Sequence, residues 1–104
     1  VTMAPERAVA FVAAYLDYLL PHLALVRMSE TAAPGARYRI GAYRFWHRHL
    51  TVLLAGTPAP EHTAHALPAA LAAEHVTALL PGLGEQRLRA GAERLARAAF
   101  AGPA

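Results

Sequence analysis

Six histidines, four tyrosines and one tryptophan are the side chains of this 104-residue sequence best equipped for chemistry. His62 and His65 stand three apart. On a helix that spacing lets two imidazoles share one metal ion, as in metal-binding bundles. A third ligand would have to come from His75 or Glu61. His47 and His49 stand two apart and point to different sides of a helix. The closed ligand set of a structural zinc site is not visible, so no metal is assigned. Nucleophilic chemistry has less to work with. Cysteine is absent, and the single serine, Ser29, sits where helix capping accounts for it. Gly82-Leu83-Gly84 is too short for a phosphate loop and lacks the following Lys-Ser or Lys-Thr. Asp17 is the only aspartate, and the six glutamates fall mainly at helix starts and on solvated faces. The residues therefore imply neither a catalytic set nor a cofactor, and the expectation is a protein that is not an enzyme.

The aromatic residues are more suggestive. Phe11, Tyr15 and Tyr18 form one group, and Tyr43, Phe45, Trp46 and His47 form another. Pockets in helical bundles are apolar and aromatic, with a few polar tips that orient a guest. Tyrosine hydroxyls, the indole N–H and His47 are suitable tips. Candidate ligand-contacting residues are Phe11, Tyr15, Tyr18, Met28, Tyr43, Trp46, His47 and Leu50. Ordinary core packing explains the same spacing. Arg37, Arg39, Arg44 and Arg48 read as a charged face in water, and no helix-turn-helix accompanies them to read a DNA groove.

These residues need helices to position them. Pro5 and Glu6 open a helix over 5–20, with Val9, Val12, Leu16 and Leu19 at helical spacing. Pro21 forces a kink or restart, giving a short helix over 21–29. Thr31 to Ala36 is a loop. A long helix follows over 37–55, with Gly56 as its stop. After Gly56-Thr57-Pro58, a helix over 60–80 should kink at Pro68 and end at Pro81-Gly82. It is apolar nearly all round, the mark of burial on more than one side. A last helix spans 85–100 behind Gly84. No alternating strand pattern or hairpin dipeptide occurs. The fold class is all-α, a bundle of about five helices in a single domain over 1–104.

Composition narrows the function further. Hydrophobic residues make up 56% and charged residues 16%. That is apolar for a domain that buries roughly two-thirds of its unfolded surface. The surplus belongs in a bilayer, a partner or a ligand cavity. Asp17, Pro21, His22, Arg44, Arg48, Glu74 and His75 interrupt every apolar run before the about 20 residues of a membrane helix. No signal peptide is visible, so a cytoplasmic protein without membrane contact is expected. All ten basic residues are arginine, and asparagine is absent. This reads as a coding bias of a high-GC bacterium. A net charge of +3 is too weak to imply nucleic-acid binding. The first helix begins almost at Val1, as expected of a piece of a longer protein.

Three stretches carry a resemblance. They are Ala14-Tyr15-Leu16-Asp17-Tyr18 with Pro21-His22-Leu23; Ala42 to Leu54, including Tyr43-Arg44-Phe45-Trp46-His47; and Ala64 to Leu71 followed by Gly84 to Gly91. Together they resemble the C-terminal regulatory domain of TetR-family transcriptional repressors. The resemblance implies a homodimer formed through the last two helices. Its interface would use Leu67, Ala70, Leu71, Glu74 and Ala78 from one helix and Leu88, Ala92, Leu95 and Ala99 from the next. It also implies a small apolar or aromatic effector bound among residues 11–50. Operator DNA would be contacted only through N-terminal helices that this sequence lacks. The alternatives are a helical interaction or dimerisation module without a ligand, and a histidine-dependent metal-binding bundle.

Overall fold

The computed structural model describes residues 3–101, and all of the regular structure among them is helical. Helix α1 (Ala4–Leu19) has Pro5 in its first turn and Glu6 beside its positive end. Ala8, Val12, Tyr15, Leu16 and Leu19 form its buried stripe. Pro21 has no amide hydrogen to continue the ladder, and a tighter 3-10 turn, Leu20–His22, carries the chain past it. Helix α2 (Leu23–Glu30) continues from there.

The helix expected over 37–55 is two elements. Helix α3 (Ala36–Arg39) is a single turn, and α4 spans Gly41–Leu53. Between them Ile40 is extended, with φ −68° and ψ 130°. A β-branched residue followed by glycine is a weak place to propagate a helix. The break also turns Arg37 inward, so Arg37 is buried and does not share a wet face with Arg44 and Arg48. After Gly56 and the Thr57–Ala59 bends comes α5 (Pro60–Ala69), then α6 (Ala73–Leu83) and α7 (Glu85–Ala98). The expected 60–80 helix is thus an elbow of 56°. Its corner lies at Ala70–Ala72, one turn beyond the predicted kink, because Pro68 fits inside the last turn of α5. Pro81 and Gly82 do not end α6. They lie within its final turn, where little ladder remains to be lost. Gly84, at φ 81°, makes the turn into α7. A side chain would be strained there.

The main core joins α1, α6 and α7 through Val12, Leu16, Leu19, Leu71, Val76 and Leu88. A second cluster of Leu50, Leu54, Ala64 and Leu67 seals α4 to α5. Phe11, Leu53 and Phe100 pack against both. Among the residues expected at a dimer interface, Leu67, Leu71 and Leu88 are buried in the chain's own core. Ala70, Ala92 and Ala99 are half-buried, Glu74 and Ala78 are exposed, and Leu95 is 46% exposed.

The apolar runs are less interrupted than the sequence suggested. Ala4–Glu30 forms one helical stretch of 27 residues, long and apolar enough to cross a membrane by length and composition alone. The 3-10 turn preserves helical continuity through Pro21, and the charged residues are too sparse to lower the mean hydropathy of 1.7. Its buried side packs on α6 and α7, but only 22% of its most apolar window is buried.

Candidate functional site

Helices α1, α2 and α4, with the α3 turn, enclose a cleft of about 370 Å³. α1 contributes Tyr15 and Tyr18, one turn apart on the same face. Leu25, Val26 and Ser29 come from α2, and Ala42 and Trp46 from α4. Trp46 meets the Tyr15 ring edge to face at 4.8 Å, with the planes at 79°. Phe11 stacks on Tyr15 at 6.4 Å and extends the aromatic wall along α1. Phe11, Tyr15, Tyr18 and Trp46 also line a neighbouring shallower hollow of about 240 Å³.

The floor of the cleft is polar and buried. Glu30, at the end of α2, accepts a 2.9 Å hydrogen bond from Arg37 Nη1. The two side chains are only 5% and 9% exposed. The second Glu30 oxygen accepts the Ala73 amide at 2.9 Å, which places a carboxylate at the positive end of α6. Arg37 Nη2 donates to the Pro68 carbonyl at the end of α5. One buried ion pair therefore ties α2, α3, α5 and α6 together beneath the cleft.

Two buried polar atoms have no hydrogen-bond partner among the described residues, the Tyr15 hydroxyl and Arg37 Nε. Both side chains line the cleft. Burial, reinforced by the Glu30 charge and opposed by Arg37, pushes the Tyr15 phenol up to about 12. The hydroxyl keeps its proton at neutral pH. Leaving a buried donor unmade costs about 1–3 kcal/mol. The chemistry on offer here is recognition.

Four of the eight expected ligand-contacting residues lie elsewhere. Tyr43 is buried, with its ring beneath the Arg37 guanidinium at 5.4 Å. Its hydroxyl meets His65 Nδ1 at 2.7 Å. His47 stacks on His65 at 3.7 Å and donates from Nε2 to the Glu61 carbonyl at 3.2 Å. Tyr43, His47 and His65 thus form a clasp between α4 and α5, away from the cleft. Leu50 belongs to the second core cluster. Met28 points outward, 70% exposed. His65 faces Tyr43 and His47 and does not pair with His62. Among the described residues, no group of three His, Asp or Glu side chains is placed to hold a metal. Sequence reasoning missed Leu25, Val26, Ser29, Ile40 and Ala42 in the cleft and both of its charged residues, Glu30 and Arg37. Helical periodicity put Arg37 on the wrong helix, and nothing local marks Glu30 as buried.

Comparison with protein families, with curated proteins and with solved structures finds no match to this chain.

Proposed function

We propose that this chain is a ligand-sensing and dimerising module of the kind that forms the C-terminal part of TetR-type repressors. The observation that carries the reading is the cleft, with an aromatic wall of Tyr15, Tyr18 and Trp46 above a buried polar floor. Such sites take a small apolar or aromatic molecule held by a few polar groups. An effector there would favour one arrangement of α1, α2 and α4, and it would do so only through unequal affinity for the two states. Dimerisation would use α6 and α7. A groove of about 210 Å³ between them is lined by Ala70, Leu79, Leu83, Gly91, Ala92 and Leu95, among others. Small residues at such a seam let helices of two subunits approach closely. DNA contact would fall to N-terminal helices outside this sequence, and the chain itself would carry no catalysis.

Trp46 is the only tryptophan, so its fluorescence reports on the cleft and the hollow beside it. Titration with N-phenyl-1-naphthylamine should quench it saturably. Sedimentation velocity should give a dimer near twice 11.1 kDa. A dimer that binds no probe would favour a plain interaction module, for which the exposed Leu79 and Leu95 are sufficient cause. A monomer that binds nothing would overturn the proposal.

A further inference from the structure

We propose that α2 and α4, on the two sides of the cleft, form a face that docks on the surface of an anionic lipid bilayer. The inference goes beyond the sensor reading and stands whether or not the cleft takes a ligand. It begins with where the charge lies. Residues 18–60 carry five arginines and a single acid, Glu30, which is committed to Arg37. The rest of the chain carries five arginines against six acids, so the net charge of +3 resides wholly on 18–60. Arg27, Arg39, Arg44 and Arg48 are exposed and form no ion pair among the described residues. Exposed apolar side chains concentrate on the same segment. Of the nine large ones among the described residues, six lie on it, from Tyr18 to Val52.

Helical register sets the two kinds of residue side by side. On α2, exposed Leu25 and Met28 are one turn apart with Arg27 beside them, and no residue of that helix is buried. On α4, exposed Phe45 and Val52 share one stripe, and Arg48 lies between them, one turn from each. Ala42, one turn before Phe45, lines the cleft, as Leu25 does on α2. Apolar side chains interleaved with arginines suit a bilayer interface. The apolar groups enter the acyl boundary, while each guanidinium stays among lipid phosphates with its stem buried. Lipids close around side chains that stand apart, whereas a folded partner needs one contiguous complementary patch. The contact is superficial. A spanning Ala4–Glu30 would pull Ala8, Val12, Leu16 and Leu19 out of the core and break the Asp17–Arg89 and Glu6–Arg97 pairs to α7.

The test is co-sedimentation of the full chain with phosphatidylcholine vesicles, with and without about one third phosphatidylglycerol. Binding is expected on the anionic vesicles, with little on phosphatidylcholine alone. Arg44→Gln with Arg48→Gln should weaken it about tenfold or more. Phe45→Ser with Val52→Ser should weaken it about tenfold. Arg94→Gln with Arg97→Gln removes the same charge from α7 and should leave binding within about twofold. All six side chains are exposed, and circular dichroism checks that each pair leaves the fold intact. No binding to the anionic vesicles overturns the inference. Equal loss from the α7 pair, the mark of net charge alone, does the same. Loss with the Arg44 and Arg48 pair but none with the Phe45 and Val52 pair also overturns it, since an acidic protein surface would then serve as well. Should a pair unfold, quenching of Trp46 by lipids brominated on the acyl chain decides on the unaltered protein. Quenching places α4 at the bilayer, and binding without quenching places another face there and refutes the inference.

Discussion

Glu30 ties two distant parts of the structure together. Its two oxygens neutralise Arg37 and cap the amide of Ala73. Removing one member of a buried ion pair leaves the other uncompensated, which costs about 3–5 kcal/mol. Glu30→Ala should therefore lower unfolding stability by about 3 kcal/mol in urea titrations. Glu30→Leu with Arg37→Met should recover most of that loss, since replacing both charges removes the desolvation penalty as well. A double variant no better than Glu30→Ala would mean that the Ala73 cap carries the effect.

The clasp between α4 and α5 makes a second prediction. Burial, then the charges of His47 and His62, hold the His65 pKa below its ordinary value, with Glu61 opposing. The unfolded chain then binds more protons than the folded one near pH 6.5. Stability is complete above that pH and declines as pH falls through it toward the lower folded value. Thermal melts from pH 7.5 to 5.5 should show the midpoint dropping, and His65→Phe should flatten the slope. The ring is largely solvated, so the effect is expected to be small. At this scale the aromatic residues of the cleft were legible in the sequence, because Tyr15 and Tyr18 stand one helical turn apart and Trp46 lies in the second aromatic group. Glu30 and Arg37 were not. Their partners lie across the fold, and a sequence shows a charge without showing its partner.

Among the elements, hydrophobic spacing located the helices well and placed their breaks poorly. Pro21 was survived by a 3-10 turn, Pro68 displaced its kink by a turn, and Pro81 sits inside α6. Proline reports a missing amide, and packing decides whether the helix yields there. The break at Ile40, which no proline marks, was invisible for the same reason. Before α5, Ala59 lies between two prolines in the left-handed region at φ 51° and ψ 55°. That conformation costs an L-residue about 1–2 kcal/mol and glycine almost nothing. Ala59→Gly should thus raise stability by about 1 kcal/mol, seen as a higher urea midpoint at unchanged slope. A loss of stability would show that the unfolded chain's added freedom outweighs the relieved strain.

For the molecule as a whole, the all-α class followed from the sequence, and the division of apolar surface between core and exterior did not. Leu71 and Leu95 looked equivalent as seam residues on apolar helices. Leu71 is 2% exposed inside the core, whereas Leu95 is 46% exposed in the groove between α6 and α7. Leu71→Arg should unfold the chain, because it buries a charge without a partner. Leu95→Arg should leave the helical content and the monomer's fold intact and dissociate the proposed dimer. Circular dichroism and sedimentation on both variants check this. A dimeric Leu95→Arg chain would move the interface away from that groove.

The pairing of α1 with α7 also has a consequence in time. α1 packs more extensively on α7 than on any other element, yet the two stand at opposite ends of the chain. During synthesis the membrane-like α1 leaves the ribosome well before its principal partner. At about 5–20 residues per second, the intervening chain takes on the order of several seconds to appear. For that interval Val12, Leu16 and Leu19 lack their main docking surface, and a chaperone or a neighbouring nascent chain meets them before α7 does.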